Sequence, residues 1–171
     1  MATTLLLLRH GKSDWGTDSA SDHARPLAPR GRRAAKAVGR LLRRLELVPE
    51  GVLCSTAVRA RTTVELAMEA GEWGAKVRWS DRLYESNPDI VLAEIAREPA
   101  AIRTLLVAGH EPVWSSLIAR LIGGGAIRFP TAALACILPF SDRWVDLPRR
   151  GGELAWLLPP RVVARADTEK G

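Results

Sequence analysis

The chain has 171 residues, 47% of them hydrophobic and 26% charged, with a formal net charge of +6; this is the balance of a globular protein with enough core for one domain, not of a disordered or fibrous one. No apolar run approaches a membrane span, and the opening MATTLLLLRHG lacks the basic start and small-residue cleavage site of a signal peptide, so a cytoplasmic location is expected. The two cysteines, Cys54 and Cys136, sit in apolar runs and read as reduced core residues, and no Cys or His pair has zinc-ligand spacing, so neither metal nor cofactor is expected.

In chain order, TTLLLL (residues 3–8) is apolar on both faces and predicts a central strand that runs into Arg9, His10 and Gly11. A helix follows from Pro29 to about residue 45, with Ala34, Ala35, Val38, Leu41, Leu42 and Leu45 at helical spacing. Its other positions are densely basic (RGRRAAKAVGRLLRR). A solvated face is the favoured reading over a nucleic-acid surface, because no zinc-finger, RRM or basic-zipper pattern accompanies it.

Residues 51–54 predict a second strand and residues 57–70 a second helix ending at Gly71, which puts Arg59 on its first turn. A third strand at 75–79 precedes a helix that opens with Asn87 as cap and Pro88 in the first turn and presents Val91, Leu92, Ile95 and Ala96. TLLVA (104–108) predicts another central strand, followed by Gly109, His110, Glu111 and a helix from about 112 to 122 that stops at GGG. Strands at 133–139 and 153–158 are more mixed and belong towards an edge. The sequence RADTEKG predicts a frayed tail, so the domain is expected to span 1–165 with 166–171 as tail. Strands alternating with helices define an α/β fold: a single three-layer α/β/α domain with a central, mostly parallel sheet.

In such a sheet the carboxyl ends of the parallel strands share one edge, where ligands bind. Three strand ends carry groups suited to an anion, so Arg9, His10, Arg59 and His110 are expected to converge there. Each signal alone is weak, and a single histidine such as His110 is more often a satisfied polar residue.

RHG at the first strand end, STAVRARTT after the second strand and VAGH after a later one resemble the histidine phosphatase superfamily, also called phosphoglycerate mutase-like. RHGKSDW followed by SDHARPLAPRG, and later FPTAA, are similar to the short phosphohistidine phosphatases of the SixA type. The resemblance implies that His10 is a nucleophile that becomes phosphorylated, with Arg9 and Arg59 on the phosphoryl oxygens and His110 as a donor to developing charge. A neutral imidazole suits that role near pH 7, and neighbouring arginines would oppose its protonation. Gly11 would let the chain turn and let substrate approach the backbone. In the resembling subgroup the segment around Arg25 folds over the pocket, so Arg25 would contact phosphate or a substrate protein; the alternative is a salt bridge with Asp22. Lys12 and Ser13 would line the rim, and His23 has no motif support and is expected to be exposed.

Many superfamily members carry a proton-donating glutamate in a Leu-x-Glu context, and Leu83-Tyr84-Glu85 offers Glu85 at that place. The alternative for Glu85 is a solvent-exposed residue at a helix entry. The expected function is a metal-independent phosphatase acting on phosphohistidine, with a phosphorylated protein as partner and no nucleic acid or membrane. Hydrolysis of a small phosphomonoester, or a non-catalytic phosphate-binding module, are the competing readings. Trp73, Trp79, Trp114, Trp144 and Trp156 fall near element ends and are expected in packing or at an interface.

Overall fold

The leucine run that opens the chain is buried from both sides, and the layering follows from its alternation. The computed structural model describes residues 3–16 and 18–168. Six strands, β1 (Thr4–Arg9), β2 (Gly51–Ser55), β3 (Lys76–Ser80), β4 (Thr104–Gly109), β5 (Leu134–Pro139) and β6 (Gly152–Leu158), form one sheet in the order β3-β2-β4-β1-β5-β6. β3, β2, β4 and β1 are mutually parallel, whereas β5 is antiparallel to β1 and to β6. The helices are α1 (Pro29–Arg44), α2 (Val58–Gly71), α3 (Pro88–Ile95), α4 (Val113–Leu121), α5 (Leu147–Arg150) and α6 (Pro160–Thr168).

Successive side chains on a strand point to opposite faces. Leu5 and Leu7 therefore join Leu105, Val107, Ile95 and Trp114 beneath α3 and α4, while Leu6 and Leu8 join Val38, Val64, Leu106 and Ala108 beneath α1 and α2. A run that is apolar at every position is thus what a strand between two helical layers requires. The expected central strands, β1 and β4, are adjacent at the middle of the sheet, and β6 is an edge. Asn87 caps α3, its Oδ1 accepting from the Ile90 N–H at 3.0 Å. Cys54 and Cys136 are both buried and free. Trp73, Trp114 and Trp144 are buried, and the indole N–H of Trp114 donates to the Leu8 carbonyl at 2.9 Å.

Two elements escaped the sequence pattern. α5 has four residues, and α6 opens on a double proline and inserts Val163, with Ala166 beside it, into the core beneath α1, too short an apolar pattern to read from sequence. The expected frayed tail is helical through residue 168, with Asp167 paired to Arg40 and Arg44 of α1, while 169–171 lie outside the described residues. No helix among the described residues is long and apolar enough to cross a membrane.

Glycine lets α1 and α2 approach closely. A Cβ on Gly39 would lie 2.0 Å from the carbonyl oxygen of Ala67. Gly39→Ala should therefore destabilise the fold by about 2 kcal/mol or more, overriding the helix-propensity gain of about 1 kcal/mol. Urea unfolding measures this directly; an unchanged or raised midpoint would refute the close approach.

Candidate functional site

The register of the central strands brings the two histidines together. Arg9 of β1 pairs with Gly109 of β4 in parallel register, so His10 and His110 leave the sheet side by side. The His10 N–H donates to the Gly109 carbonyl at 3.1 Å, and the two imidazole centroids are 5.1 Å apart. β2 flanks β4 and ends at Ser55, whose Oγ lies 2.8 Å from His110 Nε2. Arg59, buried on the first turn of α2, donates from Nε to His10 Nε2 at 3.3 Å. On the far side of β1, the segment entering β5 is held by the Ala132 N–H donating to the His10 carbonyl at 3.0 Å. These ends enclose a cavity of 270 Å³ bordered by Arg9, His10, Arg25, Arg59 and His110, with Lys12, Ser13, Trp15, Glu111 and Thr131 at its margins.

Hydrogen bonding fixes the His10 tautomer. Nδ1 is 2.7 Å from the Gly11 carbonyl, which can only accept, so Nδ1 carries the proton and Nε2 keeps its lone pair. The Arg59 Nε–H pointing at Nε2 agrees with that assignment. Burial pushes the His10 pKa down to about 4; the Gly11 carbonyl opposes this, and Arg59, Arg9 and Arg25 add to it. Desolvation is thus the larger cause, with the arginines contributing as expected from sequence. His110 is pushed down to about 3, by burial first and then by His10 and Arg59. Both rings are neutral at pH 7.

Arg25 and Arg59 converge on Asp22. Arg25 Nη2 donates to Asp22 Oδ1 at 2.5 Å, and Arg59 donates from Nη2 to Oδ2 at 3.0 Å and from Nη1 to the Asp22 carbonyl at 2.6 Å. The Tyr84 hydroxyl donates to Oδ2 at 3.0 Å. Burial alone would raise the Asp22 pKa, but the Arg25 and Tyr84 hydrogen bonds and the Arg59 charge hold it at about 2. Arg25 also donates to Ser13 Oγ at 2.6 Å and lies 3.6 Å from the centre of the Trp15 ring. Arg9 donates to the Phe129 carbonyl at 2.8 Å. The Nε atoms of Arg9 and Arg25 and Nδ1 of His110 are buried with no hydrogen-bond partner among the described residues. Orphaned buried donors such as the two guanidinium Nε–H groups are costly, and an anion with several acceptor oxygens would satisfy them, together with His110 Nδ1 in the tautomer that protonates it.

Residues 5–90 match the sequence profile of the histidine phosphatase superfamily (branch 1). The chain belongs to that superfamily. An uncharacterised protein of Mycobacterium leprae is 37% identical over 90% of this chain and 100% of its own length, and one of Mycobacterium tuberculosis is 41% identical over 82% of this chain and 91% of its own. The solved structure of SixA from Nakamurella multipartitia is 32% identical, covers 94% of this chain and 97% of its own, and superposes with a TM-score of 0.83. This superfamily member is of the SixA type, and membership together with that neighbour supports phosphatase activity.

Of the residues singled out in the sequence, Arg9, His10, Arg25, Arg59 and His110 surround this histidine phosphatase's cavity, with Lys12 and Ser13 beside them. Arg25 forms the expected salt bridge with Asp22 and also borders the cavity. Gly11 is not among the lining residues, and its backbone does not adopt a positive φ. It is glycine because a Cβ there would meet the Gly31 carbonyl oxygen at 2.7 Å, and its own N–H donates to Thr63 Oγ1 at 3.0 Å. His23 is half-buried rather than exposed, with Nε2 3.1 Å from Thr56 Oγ1 and its ring edge-on to Tyr84. Glu85 is exposed, sits in the left-handed region at φ 49° and is not among the lining residues; the carboxylate at the cavity is Glu111. Glu111 follows His110 with no motif of its own, and Thr63, Tyr84 and Thr131 left no sequence signal, because their places at the site arise from contacts across the fold.

Proposed function

We propose that the cavity hydrolyses phosphoryl groups through a covalent phosphohistidine on His10, and that the substrate is phosphohistidine borne by a protein. The observation that carries this reading is the neutral, buried imidazole whose Nε2 lone pair is fixed by the Gly11 carbonyl amid three arginines. In the first step Nε2 attacks phosphorus, the Nε2–P bond forms, and the substrate's P–N bond breaks, its imidazole, protonated on the other ring nitrogen, departing as neutral imidazole. The ring becomes a phosphoimidazolium whose Nδ1–H still donates to Gly11, so the carbonyl stabilises the charge that develops. Attack uses the lone pair that the Arg59 Nε–H now engages, which turns that donor towards the phosphoryl oxygens. Water then attacks phosphorus, its proton passes to solvent or to a neighbouring base, and neutral His10 departs. Electrostatic holding by cationic side chains is the main assistance that phosphoryl transfer needs, so the reaction is proposed to be metal-independent.

Leaving-group chemistry and cavity size support phosphohistidine. Imidazole has an unperturbed pKa near 6.5 and leaves with little help, whereas an alkoxide must be protonated as it departs. Pockets for small molecules typically span about 300–1,000 Å³ and bury most of the ligand; 270 Å³ is small by that measure and suits the tip of a macromolecule. Turnover of a phosphohistidine peptide beside a panel of alkyl phosphates tests the reading, with the peptide expected to be preferred roughly a hundredfold or more in kcat/KM. Preference for any alkyl phosphate would reverse it.

Glu111, not Glu85, is proposed as the proton donor for ester leaving groups, because it borders the cavity. Glu111→Gln should slow alkyl phosphate hydrolysis by roughly a hundredfold while affecting the phosphohistidine peptide far less. Glu85→Gln should leave both rates unchanged. A loss on alkyl phosphates in Glu85→Gln alone would restore Glu85 to the role suggested by its Leu-x-Glu context.

A further inference from the structure

The basic face of α1 does not simply meet solvent. It forms one wall of a 740 Å³ groove whose other wall is α6. Arg30, Arg33, Lys36 and Arg40 come from α1, Arg161 from the first turn of α6, and Arg128 from the loop before β5; Asp167 is the carboxylate among the lining residues. Asp167 is occupied by Arg40 and Arg44. The side chains of Arg30, Arg33, Lys36, Arg128 and Arg161 have no ion pair or hydrogen bond among the described residues. Beneath them the floor is apolar, made by Ala37, Leu157, Pro159 and Pro160.

The groove reaches the catalytic edge of the sheet. Residues near Gly11 pack against Gly31 at the start of α1, and the end of β6 lies beside the start of β5, pairing Leu158 with Leu134. Arg128 and Pro130 border both the groove and a neighbouring cleft of 620 Å³, and that cleft shares Arg9, Glu111 and Thr131 with the phosphoryl cavity. Shared lining residues thus link the cavity at His10, by way of the 127–131 segment, to the groove between α1 and α6.

We infer that this groove docks an acidic segment of the protein whose phosphohistidine enters the cavity. The inference rests on the phosphohistidine reading and names the partner's chemistry: carboxylates for the unpaired cations, with apolar side chains between them for the floor. Charge complementarity of this kind speeds encounter and fixes register. Among the described residues no aromatic side chain lines the groove to stack bases, which disfavours single-stranded nucleic acid, and a recess does not insert into a lipid surface.

The test uses two phosphohistidine peptides, one flanked by a run of Asp and Glu with interspersed Leu, the other with Asn and Gln in place of the acids. The native protein should prefer the acidic peptide by roughly tenfold in kcat/KM, chiefly through KM, and about 0.5 M salt should erase the preference. In Arg33→Glu/Arg161→Glu the preference should vanish or invert, while para-nitrophenyl phosphate turnover stays at the native level and certifies the fold. Equal turnover of the two peptides by the native protein would overturn the docking inference alone, as would a preference that survives the double variant. If the double variant keeps that preference but loses binding of single-stranded RNA or of anionic vesicles, the groove belongs to that ligand instead. Failure to turn over either peptide, with para-nitrophenyl phosphate still hydrolysed, would bring down the phosphohistidine reading and this inference with it.

Discussion

A His10→Asn variant is expected to lose turnover of para-nitrophenyl phosphate by roughly 10⁴-fold or more, because the group proposed to form the intermediate is gone while the ring of arginines remains. Asparagine keeps much of the volume and can still donate to the Gly11 carbonyl, so the fold should survive and tungstate should still bind. In the native protein, rapid quenching should trap label on His10 that is stable to alkali and labile to acid, as phosphoramidates are. Label on Ser13, Ser55 or Glu111 would reassign the nucleophile. The pH profile supplies an independent check. His10 must be unprotonated to attack, and burial holds its pKa near 4, so kcat/KM, corrected for the substrate's own ionisation, should stay level from pH 7 to about 5 and fall through about 4. A limb near 6.5 instead would mean that the imidazole is not desolvated in the working site.

The same desolvation carries a stability consequence whose sign is fixed. His10 and His110 have folded pKa values of about 4 and 3, below the ordinary 6.5, so between those values the unfolded chain binds protons that the folded chain refuses. Stability therefore falls as pH drops below about 6.5 and is fully present above it, as far as these two groups are concerned. A bound phosphoryl dianion would favour the cationic form of His110 and oppose part of that penalty.

What was legible in the sequence was whatever depended on strand ends. TTLLLL and TLLVA announce central strands because only burial on both faces tolerates such runs, and a parallel sheet then forces Arg9, His10 and His110 to one edge. Arg59 was readable because it follows a strand by a few residues and opens a helix. For Glu85 a local Leu-x-Glu pattern says nothing about where the side chain goes; its backbone lies in the left-handed region and the residue is exposed, which is why the proton-donor role is proposed for Glu111 instead. Gly11 was expected for a turn and for substrate approach; the constraint that the fold adds is the backbone of Gly31, twenty residues away in sequence and invisible to any local rule. Of the partners of Asp22 only Arg25, three residues along the chain, was readable, while Arg59 and Tyr84 are hidden for the same reason; α6 is hidden because Val163 is its one wholly buried side chain among the described residues.

Arg59 is where geometry makes the second large prediction. Its guanidinium is shared among three acceptors, His10 Nε2, the Asp22 carboxylate and the Asp22 carbonyl, so in the proposed mechanism it orients the nucleophile and stands ready for phosphoryl oxygens. Removing one preorganised donor to developing charge typically costs about 10²–10³ in kcat. Arg59→Ala should reach the upper part of that range, because it also leaves Asp22 with one fewer cation beside an incoming dianion. Arg59→Lys should recover less than about tenfold of the loss, since an ammonium restores the charge but not the planar fork that spans His10 and Asp22. Asp22→Asn placed on Arg59→Ala separates the two contributions. If repulsion from the uncompensated carboxylate matters, the double variant will be faster than Arg59→Ala alone, and the two substitutions will be non-additive, as expected for side chains in direct contact. A lysine variant as fast as the native protein would reduce Arg59 to a point charge, and a loss confined to KM would make it a binding residue with no part in the transition state.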